Sequence, residues 1–209
     1  MGFTAKNLWG LCFAVVFAGR VAGATTPQQI TVQVYDDATV SPWVLKHGEA
    51  EAERILAVAG IEITWQNCAD SSAGGVPCLT TDAPNVFVLH IVPAGKTSTD
   101  SVFGEAFLGE GGIGKYCDIF FRRILEKNRE SGASVSQLLG AVAAHELGHL
   151  LLGSRAHSRF GIMAPIWEKE SLRAIQTGTF LFTSDQAALM RARVAKPVAF
   201  AARVRPELW

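Results

Sequence analysis

The sequence predicts an α+β fold: a twisted, mixed β-sheet with a helix on its face, a second helix that carries the chemistry, and a small helical C-terminal part. Three observations predict it. Short alternating or β-branched segments recur up to Ile124, two long segments have helical periodicity with start and stop signals, and the order of strands and helices shows no internal repeat. At 209 residues, 49% hydrophobic and 18% charged, the chain has the length and composition of one ordinary globular domain able to bury its own core.

The first 24 residues are set apart as a leader. Lys6 gives a basic start, Leu8 to Ala18 is apolar, and Ala22-Gly23-Ala24 is a small-x-small site. This is the layout of a secretory signal peptide cleaved after Ala24, and it predicts a secreted or periplasmic protein. The apolar run is short for a bilayer span, so no stable membrane insertion is expected after cleavage. An uncleaved anchor is the alternative, with Arg20 between the run and the cleavage site in its favour. Basic and acidic residues balance at 19 each, and loss of Lys6 and Arg20 with the leader takes the basic groups to 17. No nucleic-acid partner is expected of such a chain. Residues 25–194 are expected to form the folded domain, and 195–209, with two prolines, a C-terminal tail.

Within the domain, Ile30 to Tyr35 alternates apolar and polar residues, as a half-buried strand does. Ser41-Pro42 supplies an N-cap and a first-turn proline, and Val44, Leu45, Ala52, Ile55, Leu56 and Ala59 then share one helical face up to a stop at Gly60. Ile61 to Trp65 alternates again. Cys68 and Cys78 bracket a loop of turn-forming residues, and in an oxidising compartment they are expected to form a disulfide contributing about 2–3 kcal/mol. Asn85 to Val92 is almost continuously β-branched or aromatic, which predicts a central strand buried on both faces with His90 a satisfied core histidine. His47 reads as a surface residue.

Gly95 to Gly114 is glycine-rich and holds a candidate edge strand, Phe103 to Leu108. From Tyr116 to Ile124 the alternation of Cys117, Ile119 and Phe121 favours a strand over a helix start, and 125–134 reads as a charged loop. Cys117 is expected buried and free, and nothing in the spacing of Tyr116 assigns its hydroxyl to an oxyanion. Ser136 to Leu152 is a strong helix, capped by Ser134 or Ser136 and stopped by Gly153. Ser154 to Ile166 is a loop, and Thr183-Ser184-Asp185 caps a last helix running to about Val194.

The chemistry lies in His145-Glu146-Leu147-Gly148-His149. Residues four apart stand one turn above each other on a helix face, so two imidazoles there can reach one metal ion at about 2.0–2.1 Å. Glu146 is rotated about 100° from the first histidine and flanks the ion, a place suited to a base that takes a proton from water. Leu138, Leu139, Val142, Ala143, Leu147, Leu150 and Leu151 make the helix apolar nearly all round, so two histidines and a glutamate inside it need partners, and one Zn2+ with its water supplies them. Gly148 is a poor helix former, which points to another segment packing against it. A third ligand completes such a site. His157 is the leading candidate; Glu168, Glu170 and Asp185 are its rivals, the first two in a charged stretch that reads as a short helix or a surface turn.

The run from His145 through Gly153 to His157, followed by Gly161-Ile162-Met163, resembles the extended zinc signature and Met-turn of the metzincin metalloproteases. The family pattern places its glycine three and its third histidine six residues after the second histidine. Here Gly153 lies four and His157 eight residues after His149, so the helix and the following loop are both longer. The resemblance implies a metzincin-like zincin fold, zinc on His145, His149 and His157, Glu146 as general base, and Met163 packed beneath the metal. It implies a secreted zinc endopeptidase acting on peptides or proteins, with Phe103 to Leu108 holding an extended substrate by strand addition. A zinc-containing binding protein of the same fold without turnover is the alternative, against which the presence of Glu146 speaks.

Overall fold

A computed structural model describes residues 27–68, 78, 83–95 and 102–196. The leader, most of the cysteine loop and most of the tail lie outside these residues. Strand β1 (Gln28–Asp36) turns Ile30, Val32 and Val34 into the core. Helix α1 (Pro42–Val58) follows, opened by Ser41, whose Oγ accepts the Val44 N–H at 3.4 Å, and by Pro42 in the first turn. Strand β2 (Ile61–Cys68) pairs parallel with β1, and β3 (Val86–Val92) pairs parallel on its other side. Strand β5 (Tyr116–Phe120) adds parallel to β3, and β4 (Gly104–Phe107), within the expected edge segment, closes the sheet antiparallel to β5. The sheet order is β2-β1-β3-β5-β4. A mixed sheet results, with its one antiparallel strand at an edge.

Helix α3 (Val135–Leu152) packs with α1 on the core face of the sheet, where Leu45 and Gly48 of α1 and Leu139 and Ala143 of α3 meet Val34, Leu89, Ile91 and Ile119. By length and hydropathy α3 would qualify as a membrane span, but its residues from Leu138 to Leu151 are all buried inside the fold. The two helices approach closely at small residues: a Cβ on Gly140 would stand 2.6 Å from the Gly48 carbonyl oxygen. Helices α4 (Lys169–Gln176) and α5 (Ser184–Ala195) form the C-terminal part, α5 opened by a capping box between Thr183 and Gln186. Cys68 and Cys78 form the expected disulfide, with Cα atoms 5.4 Å apart, and Cys117 is buried and free.

Three expectations are corrected. The strand beginning at Tyr116 ends at Phe120, and Phe121–Ser131, read as strand end and charged loop, is helix α2. Its charges form i,i+3 pairs, Arg123 with Glu126 at 2.9 Å and Lys127 with Glu130 at 3.1 Å, while Ile124 is buried. The charged run is therefore the solvent face of an amphipathic helix. His90 is not a core residue. It lies on the sheet face opposite Leu89 and Ile91, half-exposed, with Nε2 2.8 Å from Asp37 Oδ2. Gln33 departs in the other direction: flanked by strands on both sides, it is buried and its Nε2 donates to Gln66 Oε1 at 3.3 Å.

Candidate metal centre

The last two turns of α3 deliver His145 and His149 side by side. Their Nε2 atoms are 3.1 Å apart, and each ring is held from behind by a main-chain carbonyl: His145 Nδ1 lies 2.7 Å from Ile162 O, and His149 Nδ1 2.8 Å from Ser154 O. These carbonyls accept, so both Nδ1 atoms carry the proton and both Nε2 atoms present lone pairs. Two lone pairs at 3.1 Å cannot bond to each other; a cation between them satisfies both. Ligands about 2.05 Å from a tetrahedral ion are separated by roughly 3.3 Å, close to this spacing. Gly153 ends the helix in the left-handed region (φ +63°) and releases the chain into the loop that brings His157 back, stacked on His145 at 5.4 Å between ring centroids. One ligand atom from each of the three histidines lies within 4.8 Å of the others. Burial lowers the pKa of His145 to about 4, with its carbonyl partner opposing and the neighbouring imidazoles adding to the shift, and burial likewise lowers that of His149. Both rings are thus held neutral, the form that binds metal.

Glu146 is 5% exposed and faces the edge of the sheet. Burial first, then the negative charges of Glu105 and Asp118, raise its carboxyl pKa to about 8. Strand β4 passes directly over it: a Cβ on Gly104 would come within 2.8 Å of Glu146 Cγ and Oε1 and 2.6 Å of Asp118 O. Only glycine fits there. The three histidines, Glu146 and β4 share a cavity of about 450 Å³, whose apolar walls include Val102, Phe103, Val142 and Trp167.

Met163 is fully buried in a tight turn closed by the Ala164 N–H donating to Gly161 O at 3.0 Å. The same turn supplies the Ile162 carbonyl to His145. The glycine in the middle of α3 has its explanation here: a Cβ on Gly148 would lie 2.7 Å from both Met163 Sδ and Phe182 Cε1. Gly148→Ala is expected to destabilise the protein. The helix gains about 0.8–1 kcal/mol from alanine, but overpacking against two buried side chains costs about 1–3 kcal/mol. Urea unfolding decides it, and an alanine variant more stable than the parent would show that Met163 and Phe182 do not press on the helix.

The structure gathers His145, Glu146, His149, His157 and Met163 and leaves the rival ligands outside. Glu168 caps α4 and Glu170 lies in its first turn, Asp185 lies in the first turn of α5, and all three are exposed. Tyr116 is not among the residues lining the cavity, and His47 is an exposed residue stacked on Trp43. Trp167 and Arg155 were not expected at the site. Trp167 is buried beside His145, at 5.9 Å between ring centroids, and stacks on Phe103. Arg155 lines the cavity and its Nη2 donates to Leu108 O at 2.6 Å.

With this geometry the chain can be set beside solved structures. A zinc-dependent peptidase from Methanocorpusculum labreanum (strain Z) superposes with a TM-score of 0.51 at 15% identity, covering 76% of this chain and 99% of that one. What the two share is the fold. An archaemetzincin from Methanopyrus kandleri aligns at 13% identity and a TM-score of 0.46, over 84% of this chain and 100% of that one. No protein-family model and no curated protein matches the chain.

Proposed function

We propose that this chain is an exported zinc-dependent endopeptidase, with His145, His149 and His157 as metal ligands and Glu146 as general base. The observation that carries it is the convergence of three imidazoles within 4.8 Å, two of them fixed by backbone carbonyls so that their free lone pairs face each other. Zinc held there supplies a Lewis acid that acidifies a water and polarises a carbonyl. Glu146, beside the ligands, accepts the proton of the attacking water and returns it to the leaving amine. Among the described residues strand β4 is at the edge of the sheet, and it offers that edge to an extended peptide. Phe120 N–H bonds to Phe103 O, so in the antiparallel alternation Glu105 and Phe107 bond to β5 while the backbone groups of Gly104 and Ala106 face away from it. A peptide docked by its main chain needs neither of its ends to be recognised, which favours endopeptidase action. The packing of Met163 against α3 at Gly148 supports reading it as a Met-turn methionine. The fold shared with a zinc-dependent peptidase supports the same reading, and the leader with its small-residue site supports export.

Purified protein is expected to carry about one zinc per chain, and a chelator should abolish hydrolysis of an unstructured protein such as casein until zinc is restored. Absence of stoichiometric metal, or hydrolysis indifferent to the chelator, would overturn the assignment.

A further inference from the structure

We propose that Arg155 is a positioning residue that straps the loop carrying His157 to the free edge of β4, setting where an extended peptide stops on that edge. The inference rests on the reading of β4 as the substrate edge. Leu108 follows β4 directly, and its carbonyl accepts from Arg155 Nη2 at 2.6 Å. An incoming strand can pair with Gly104 and Ala106, but the Leu108 carbonyl that follows them is already taken. The docking edge ends there.

The other end of the strap is the metal loop. Arg155 lies two residues before His157, and the segment is held on either side: Ser154 gives its carbonyl to His149 Nδ1, and Ser158 N–H donates to Met163 O at 2.9 Å. Ser154 Oγ also accepts the Ala156 N–H at 3.1 Å, a hydrogen bond that spans Arg155. Beyond Leu108 the chain turns back at once, with Gly109 N–H donating to Ile113 O at 2.8 Å, so the strap grips the residue that joins β4 to the turn. An arginine suits this task, because a planar guanidinium spends less conformational freedom per hydrogen bond than a lysine ammonium does.

The test compares full-length wild type, Arg155→Ala and Arg155→Lys. In Arg155→Ala, amide hydrogen exchange at Glu105 and Phe107 should speed up at least about tenfold as β4 loosens at one end, with global unfolding unchanged. For a peptide long enough to run the length of β4, KM should rise about tenfold while kcat stays within about twofold, the pattern of lost uniform binding. Lysine, which can still donate to Leu108 O, should restore most of both. The proposal is overturned if exchange at β4 is unaltered in Arg155→Ala, or if kcat falls with KM unchanged. Should the wild type hydrolyse nothing, the peptidase reading fails, while amide exchange still decides whether the strap exists.

Discussion

Glu146→Gln is expected to lower peptide hydrolysis by about 10²–10⁴-fold, the usual contribution of a positioned general base, with zinc still bound. Glutamine keeps the shape and the hydrogen-bonding reach of the carboxylate but cannot take a proton. The fold makes the substitution clean, because Glu146 points at the edge of the sheet and is not one of the converging ligands. Steady-state hydrolysis and metal analysis on the same preparation check it; an active, zinc-replete glutamine variant would remove Glu146 from the reaction. The buried carboxyl also makes a thermodynamic prediction for protein stripped by a chelator. Its pKa is raised from 4.5 to about 8 on folding, so the folded state holds a proton that the unfolded state has released, and stability falls as pH rises between those values. His145 acts oppositely: lowered from 6.5 to about 4, it adds stability as pH rises across that range. The two slopes oppose each other up to about pH 6.5, and the loss from Glu146 is left uncompensated from there to about 8. Urea unfolding of the stripped wild type should weaken between those pH values, and Glu146→Gln should flatten that limb. A wild type equally stable at both ends would show that the carboxyl is not desolvated as the fold implies.

Much of this site was legible in the sequence because its parts are local. The pair of helix histidines, the flanking glutamate, the glycine stop and the edge strand each depend on periodicity or on one turn signal. Gly148 announced a close neighbour but not which; Met163 and Phe182 reach it only through the turns after α3. Trp167 and Arg155 carry no local signature at all, since their places beside His145 and Leu108 come from tertiary packing. The misread elements fail for physical reasons too. Charges spaced three apart on α2 resemble a loop when its single buried isoleucine is overlooked. The apolar run Asn85 to Val92 hides the fact that His90 faces away from the helices, towards Asp37 and Asp118. Charge and hydrophobicity along the chain say which residues alternate, and only the assembled sheet says what each face meets.

The proposed third ligand is the part of the site most exposed to test, because His157 is exposed while His145 and His149 are buried. His157→Ala is expected to weaken zinc binding by more than about 100-fold, since loss even of an outer-shell partner to a metal ligand commonly costs 10–100-fold. Glu168→Gln, Glu170→Gln and Asp185→Asn should each change it less than about twofold, the expectation for surface carboxylates that touch no ligand. The reason lies in how the loop is tied. Ser154, Arg155 and Ser158 anchor it to His149, to β4 and to the Met163 turn, so the imidazole between them is presented at little further cost in conformational freedom. The acidic residues instead begin α4 and α5, where a carboxylate already has a use: Glu170 and Asp185 stand in first turns, near the positive end of the helix dipole. Competition against a chromophoric chelator at neutral pH measures all four variants on one scale. Should an acidic variant lose as much affinity as His157→Ala, the loop histidine would not be completing the site, and an oxygen donor would have to take its place.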